Sequence, residues 1–283
     1  MKILENECLK KYTTIRIGGY AKYMYFPENT NELIALINKF SNKDYYLLGG
    51  GSNVLINDKK IFDNVIMLNK FDNMIRNLGN GEYYVGSATR IQKLIDLINQ
   101  DGFGGIEYLY SVPGLVGGII VMNAGRGKQT GVSISDYIKN VHVCINGSRF
   151  ILDKDECEFS YRSSIFKNSK NVVLGATFCF TKMEHVETSL AKQDRIALCK
   201  KVQDNSGYNF GSVFMKSDYS LMWLIRLFSP GYKNGIVFSK KTINWLLNKG
   251  DGTFYQAIKL IDTIKKIHIF LGREASTEVI IWK

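Results

Sequence analysis

Two glycine-centred stretches carry the residue types best suited to holding an anion. One is Leu48-Gly49-Gly50-Gly51-Ser52-Asn53, and the other is Ser111–Gly125, reading SVPGLVGGIIVMNAG. Glycine accepts a positive φ and lets a bulky group approach the main chain closely. Bare backbone N–H groups in two such turns, flanked by strand-like apolar runs, form a cradle for a phosphate or pyrophosphate. Either stretch alone reads as a tight turn between strands. Together they point to a nucleotide-like cofactor held by loops.

The standard nucleotide motifs do not fit. Gly49 and Gly51 are followed by Val54 where a G-x-G-x-x-G needs its third glycine. The Gly127-Lys128 pair ends in Gln129, with Met122 where the first P-loop glycine belongs. Neither a Rossmann nor a P-loop reading survives, so a nucleotide would be bound another way. Metal chemistry lacks support as well. Three histidines (His142, His185, His268) and five dispersed cysteines (Cys8, Cys144, Cys157, Cys179, Cys199) offer no C-x-x-C pair, and no metal is expected. The odd, widely spaced thiols read as reduced small hydrophobes, which points to the cytoplasm.

Composition narrows the partners. The 283 residues carry 37 Lys and Arg against 26 Asp and Glu, a net charge of +11. That balance fits an anionic partner. Its basic residues fall singly or in pairs (Lys10-Lys11, Lys59-Lys60, Lys200-Lys201, Lys240-Lys241, Lys265-Lys266), so no nucleic-acid arm is expected. A ligand bearing a diphosphate fits better. No segment approaches the roughly 18 apolar residues of a membrane span. The first residues, MKILENE, are acidic where a signal peptide would be apolar. A soluble cytoplasmic chain is the expectation, without membrane insertion.

The elements that must position these turns follow from periodicity. Ala21–Phe26 alternates as a strand and Pro27 closes it. Asn29 caps a helix in which Leu33, Leu36, Ile37 and Phe40 share one face. Strands follow at Tyr45–Leu48, Val54–Ile56 and Val65–Leu68, so residues 1–70 read as a small β-α-β-β unit. Residues 71–182 read as mainly β: a strand at Tyr83–Val85, a helix bearing Ile91, Leu94, Ile95 and Ile98 that ends at Gly102, and strands at Tyr137–Ile145, Arg149–Leu152 and Val172–Phe180. Asn146-Gly147 is a hairpin signal between the second and third of these strands. Residues 183–283 change texture. Helices are expected at Glu187–Asp204, Leu221–Phe228 and 253–271, with a short strand around Ser212–Phe214 and a terminal strand at Thr277–Trp282. His268, on the apolar face of the longest helix, reads as a satisfied core histidine.

The landmarks taken together resemble a known family. They are Thr13-Thr14 with Ile17-Gly18-Gly19 and Ala21, then Pro27-Glu28, Gly49–Asn53, Val112-Pro113-Gly114 with Gly117-Gly118, and Met122-Asn123-Ala124-Gly125. Tyr161-Arg162-Ser163-Ser164, Gly211-Ser212-Val213-Phe214 and Glu278-Val279 complete the series. Their order and separations are similar to those of the UDP-N-acetylenolpyruvoylglucosamine reductases, in the shorter type that lacks a tyrosine-bearing insertion. The resemblance runs nearly the whole length and is most specific from Thr13 to Phe166.

The resemblance implies an α+β protein: a two-part FAD-binding fold of the vanillyl-alcohol-oxidase type, followed by an α+β substrate-binding domain that closes over a UDP-sugar. FAD would lie on Gly49, Gly50, Gly51, Ser52 and Asn53, with Val112, Pro113, Gly114, Gly117, Gly118, Asn123 and Gly125 around the rest of it. NADPH would be the reductant, and the reaction would convert an enolpyruvyl ether to a lactyl ether. Negative charge developing on the substrate carboxylate must be stabilised. Arg162 suits this, since a guanidinium grips a carboxylate bidentately and stays charged. A protonated Glu278 would donate a hydrogen bond to the same oxygens, and Ser212 would protonate the adjacent carbon. Lys200 or Lys201 would face the substrate, as would Asn244. Lys216 and Ser217 stand where the family usually has Asn and Pro, and Thr242 where it has histidine. These departures leave two alternatives open: a related reductase for another enolpyruvyl or lactyl sugar, and a nucleotide-binding homologue without catalysis.

Overall fold

The computed structural model describes residues 1–127 and 130–283; Lys128 and Gln129, which fail the P-loop pattern, lie outside the described residues. The chain divides into two compact units, neither continuous in sequence. The first comprises Met1–Leu4, Met24–Gly50 and Asn64–Cys199, and the second Glu5–Tyr23, Gly51–Asp63 and Lys200–Lys283. The residue-70 boundary expected from the sequence falls inside the first unit, and the second resumes at Lys200 rather than 183.

In the first unit, α1 (Thr30–Lys39) starts where expected. The Asn29 side chain accepts the Glu32 N–H at 3.0 Å, and Leu33, Leu36 and Ile37 are buried. Helix α2 (Ile91–Gln100) buries Ile91, Leu94, Ile95 and Ile98, and Gly102 follows it with a φ of +80°, the left-handed exit a helix C-terminus favours. These side chains pack on a five-stranded antiparallel sheet. Its strand order is Ser148–Asp153, Ile138–Ile145, Val172–Cys179, Glu82–Gly86 and Ile75–Gly79. Asn146 and Gly147, both at positive φ, close the expected hairpin, with Ser148 opposite Ile145. Tyr83, Ile95, Ile98, Ile120, Val141 and Phe178 form the centre of this core.

A four-stranded sheet has the order Lys2–Cys8, Tyr20–Phe26, Ile61–Met67 and Tyr46–Leu48. Its first strand lacks the alternation that would have revealed it in the sequence. The strand-like reading of the apolar run after Gly117-Gly118 is corrected. Val116–Val121 is a short helix, α3, because Val116, Ile119 and Ile120 fall on one buried helical face. Among the described residues, the mainly-β middle segment therefore holds two α-helices.

Helix α4 is His185–Val202. The second unit contains α5 (Tyr219–Phe228) and α6 (Phe254–Phe270) around a core that includes Ile15, Leu55, Phe214, Met222, Ile225, Leu246, Ile261 and Ile264. Thr253 and Gln256 make a capping box at the start of α6. His268 is fully buried and satisfied, as expected. Its Nε2 accepts the Asp218 N–H at 3.0 Å and its Nδ1 lies 2.8 Å from the Ile264 carbonyl.

Two strand expectations shift. The strand near Ser212 runs from Phe214 to Lys216, and Ser212 makes only an isolated bridge to Trp245. The terminal strand is two strands. Ser276–Thr277 pairs antiparallel with Phe214–Lys216, whereas Ile280–Trp282 pairs parallel with Val54–Ile56. The chain changes partner at Glu278-Val279. Among the described residues no helix is long and apolar enough to cross a membrane, and no three His, Cys, Asp or Glu gather as a metal would require. The five cysteines are free thiols.

Candidate active site

In the second unit the site starts at the end of the first glycine turn. Gly51 has a φ of +64°, and a Cβ there would collide with the Tyr12 carbonyl; glycine alone fits this position. The Thr14 N–H donates to the Gly51 carbonyl at 3.0 Å, and Thr13 Oγ1 donates to the Ile17 carbonyl at 2.9 Å. The Thr13–Gly19 landmark is therefore a buttress for the turn. Asn53, at its end, donates its side-chain amide to the Glu278 carbonyl at 3.3 Å. The Glu278 N–H in turn donates to the Val213 carbonyl at 2.8 Å. Glu278 and Ser212 thus sit on adjacent chain segments, anchored to the glycine turn.

Asn244 holds the Ser212 segment. Its Oδ1 accepts the Phe214 N–H at 2.9 Å, its Nδ2 donates to the Phe214 carbonyl at 2.8 Å, and its own carbonyl accepts the Val213 N–H at 2.9 Å. With 3% of its surface exposed, Asn244 acts as a one-residue strand mimic behind Ser212. Lys200 and Lys201 are exposed in the last turn of α4. Next to them is a carboxylate that sequence reasoning missed, Asp204. Burial alone would raise its pKa, but bonds from the Ser206 hydroxyl and N–H, Ser239 Oγ (2.9 Å) and the Lys240 N–H (3.2 Å) hold it at about 2.

In the first unit the two glycine stretches meet: a Cβ on Gly50 would lie 3.6 Å from Leu115 Cγ. Val112–Gly118 is held by a wall the sequence did not flag, Gly86–Gln92. The Val116 N–H donates to the Thr89 carbonyl and the Gly117 N–H to the Ser87 carbonyl, each at 2.9 Å. Gln92 Nε2 donates to the Tyr110 and Val112 carbonyls at 2.9 and 2.8 Å. Gly117 is required there, since a Cβ would come 2.9 Å from Ser87 Cβ.

Asn123 takes a φ of +41° and ties two segments. Its Nδ2 donates to the Ser160 carbonyl at 3.0 Å, and its Oδ1 accepts the Ser135 N–H at 3.2 Å. Ser160 and Ser163 exchange backbone bonds at 3.0 and 3.1 Å, with Tyr161 and Arg162 at the tip and Arg162 at a φ of +56°. Arg162 Nη2 reaches the Gly125 carbonyl at 3.1 Å. Asn123, Gly125 and Arg162 are therefore one hydrogen-bonded cluster. Tyr108 lies within its field. Burial drives the Tyr108 phenol well above its ordinary range, Tyr137 and Asp136 add to this, and Arg162 and Arg126 oppose it.

These surroundings fit a flavin dinucleotide. A Cβ on Gly49 or Gly118 would meet nothing within 4 Å, so both glycines border open space. The hydroxyls of Ser87, Thr89 and Tyr108 are buried with no hydrogen-bond partner among the described residues. Such groups are costly unless a ligand satisfies them. Glycines bordering open space and orphaned hydroxyls in one unit are what a wall built for a polar cofactor presents.

Comparison with known proteins agrees. The FAD binding domain family matches residues 21–149. The UDP-N-acetylenolpyruvoylglucosamine reductase of Thermotoga petrophila is 33% identical, the match covering 98% of this chain and 97% of that one. The protein of the same name from Clostridium novyi is 32% identical over 98% of this chain and 91% of its own. The crystal structure of UDP-N-acetylenolpyruvylglucosamine reductase (MurB) from Thermus caldophilus superposes with a TM-score of 0.80 at 22% identity. It covers all of this chain and 98% of that one, a likeness of fold. Glycine turns, orphaned hydroxyls and whole-length similarity converge: this FAD-dependent α+β oxidoreductase belongs to the UDP-N-acetylenolpyruvoylglucosamine reductase family.

Proposed function

We propose that this chain reduces the enolpyruvyl ether of UDP-N-acetylglucosamine enolpyruvate to the lactyl ether of UDP-N-acetylmuramate. NADPH is the reductant, and the setting is cytoplasmic synthesis of peptidoglycan precursors. The observation that carries this reading is the bonded set of Asn53, Glu278 and the Ser212 segment, which ties the first glycine turn to the two candidate acids. Bound FAD supplies the redox chemistry between the nicotinamide and the enolpyruvyl double bond. Gly49–Asn53 would hold it through backbone N–H groups suited to a pyrophosphate, and Val112–Gly118, Asn123 and Gly125 would shape the remaining wall.

The protein's own residues then handle charge and the proton. The Arg162 guanidinium grips the substrate carboxylate, where negative charge develops. Glu278, protonated, donates a hydrogen bond to that charge. The Ser212 hydroxyl gives its proton to the carbon next to the carboxylate, completing the addition across the double bond. A serine hydroxyl is a weak acid, and its fixed position, set by Asn244, makes the transfer effective. Lys200 or Lys201 faces the UDP-sugar.

The test is NADPH oxidation by the FAD-loaded protein with and without UDP-N-acetylglucosamine enolpyruvate. Oxidation that requires this substrate supports the reading. NADPH consumption indifferent to it would assign another acceptor sugar. A protein that takes up no FAD would leave only nucleotide binding.

A further inference from the structure

Helix α5 carries more apolar surface than its own core uses. Leu221, Met222 and Ile225 are buried, while Tyr219, Trp223, Leu224, Leu227 and Phe228 are exposed, Phe228 by 84%. At 3.6 residues per turn these five positions span about half the circumference. Ser220 and Arg226 are the helix's other polar residues besides the tyrosine. A helix apolar on nearly every side is normally covered, and an exposed apolar face of this kind marks a docking surface.

The surroundings of the far end of α5 are basic. The Arg226 guanidinium lies 4.1 Å from the centre of the Trp223 ring and donates to the Ser239 carbonyl at 2.9 Å. Exposed Lys240 and Lys241 follow Ser239, and the Phe238 N–H reaches the Pro230 carbonyl just past the helix at 3.2 Å. Lys233 is exposed in the connection between them. Thr242 Oγ1 donates to the Val202 carbonyl, bringing the chain at Lys200-Lys201 beside Lys240-Lys241. At the helix's near end the charges cancel: Arg273 pairs with Asp218, and Lys216 with Glu274 at 3.2 Å. Between Lys200 and Lys283, 13 Lys and Arg against 6 Asp and Glu leave +7 of the chain's +11.

An aromatic, apolar helix face with a basic rim complements an anionic bilayer surface. Rings and aliphatic chains enter the boundary between headgroups and acyl chains, and ammonium groups meet phosphates. A second copy fits poorly, because a two-fold interface would set one basic rim against another. We propose that α5 docks the protein on membranes bearing anionic phospholipids, lying on the bilayer and not crossing it.

The experiment sediments the FAD-loaded protein with vesicles of phosphatidylcholine alone and of equal parts phosphatidylcholine and phosphatidylglycerol. Binding to the anionic vesicles should be at least about tenfold stronger and should weaken as salt screens the charges. A Leu227→Glu/Phe228→Glu variant that keeps its flavin absorbance and melting temperature should lose most of that binding. A Lys240→Gln/Lys241→Gln variant should lose roughly fivefold per lysine. Equal binding to both vesicle types, or undiminished binding by the Leu227→Glu/Phe228→Glu variant, would overturn the proposal. So would a dimer in light scattering that this variant splits, since the face would then belong to a second copy.

Discussion

Asn53 and Glu278 are joined by a hydrogen bond from side-chain amide to main-chain carbonyl at 3.3 Å, across 225 positions of sequence. The Ile280 N–H returns to the Asn53 carbonyl at 3.1 Å. The last residue of the glycine turn therefore fixes where the candidate acid leaves its strand. Asn53→Ala removes the donor. FAD affinity should fall by up to about tenfold, because the turn loses the one hydrogen bond that anchors its end, and kcat should stay low even at saturating FAD because Glu278 is no longer held. Flavin titration and steady-state kinetics on the same variant separate the effects. A kcat fully restored by excess FAD would confine Asn53 to the cofactor.

Ser212→Ala tests the proton donor. The side chain is half-buried, and its segment is held through the backbone bonds of Val213 and Phe214 to Asn244, so the fold should tolerate the loss. Flavin reduction by NADPH should proceed at the unaltered rate. Transfer to the enolpyruvyl substrate should slow by about 10²- to 10⁴-fold, the range for a lost general acid. Stopped-flow absorbance follows the two half-reactions in turn. Loss of both would remove Ser212 from its assigned role.

Gly49 and Gly51 should answer the same substitution in opposite ways. A Cβ on Gly49 borders open space, so Gly49→Ala should leave the stability of the FAD-free protein within about 0.5 kcal/mol. That space is where the cofactor would lie, and FAD binding should weaken at least about tenfold. Gly51 combines a left-handed φ with a close approach to Tyr12. Gly51→Ala should destabilise the protein by about 2 kcal/mol or more, with or without FAD. Thermal melts and FAD titrations of the two variants suffice. Unchanged FAD affinity in Gly49→Ala would move the pyrophosphate elsewhere.

What could be read from the sequence was what depends on local spacing. Asn29 three residues before Glu32 announced α1, the Ile91–Ile98 periodicity announced α2, and Asn146-Gly147 announced its hairpin. Arg162, Ser212 and Glu278 stand out as candidates only through their order among family landmarks, since each alone looks ordinary. The Val116–Val121 helix was hidden because two glycines depress helix propensity and its apolar run suits either period. The break at Glu278 depends on strands more than 60 residues away on one side and more than 220 on the other, a pairing no local pattern encodes. Ser87 and Thr89 look like any strand-to-helix turn until their hydroxyls prove to be buried and unpaired. Asn244 was expected at the substrate, but its amide spans a gap of 30 residues to grip the Phe214 backbone.

Asp204 gives the stability of the second unit a defined pH dependence. Against the cost of burial, four donors from Ser206, Ser239 and Lys240 hold its carboxyl at about 2, below the ordinary value of 3.8. A group whose pKa falls on folding contributes stability that is complete above its unfolded value and fades as pH drops toward its folded one. Asp204→Asn loses the charge that those donors face and should cost about 2–3 kcal/mol at neutral pH, in the range of hydrogen bonds to a charged group. The gap in melting temperature between wild type and variant should stay constant from about pH 7 to pH 5, where the carboxyl is ionised folded or unfolded. It should then narrow between about pH 4 and pH 2, as protonation removes the wild type's advantage. Calorimetry across that range is the check. A gap that holds its size down to pH 2 would mean that Asp204 acts through packing and not through its charge.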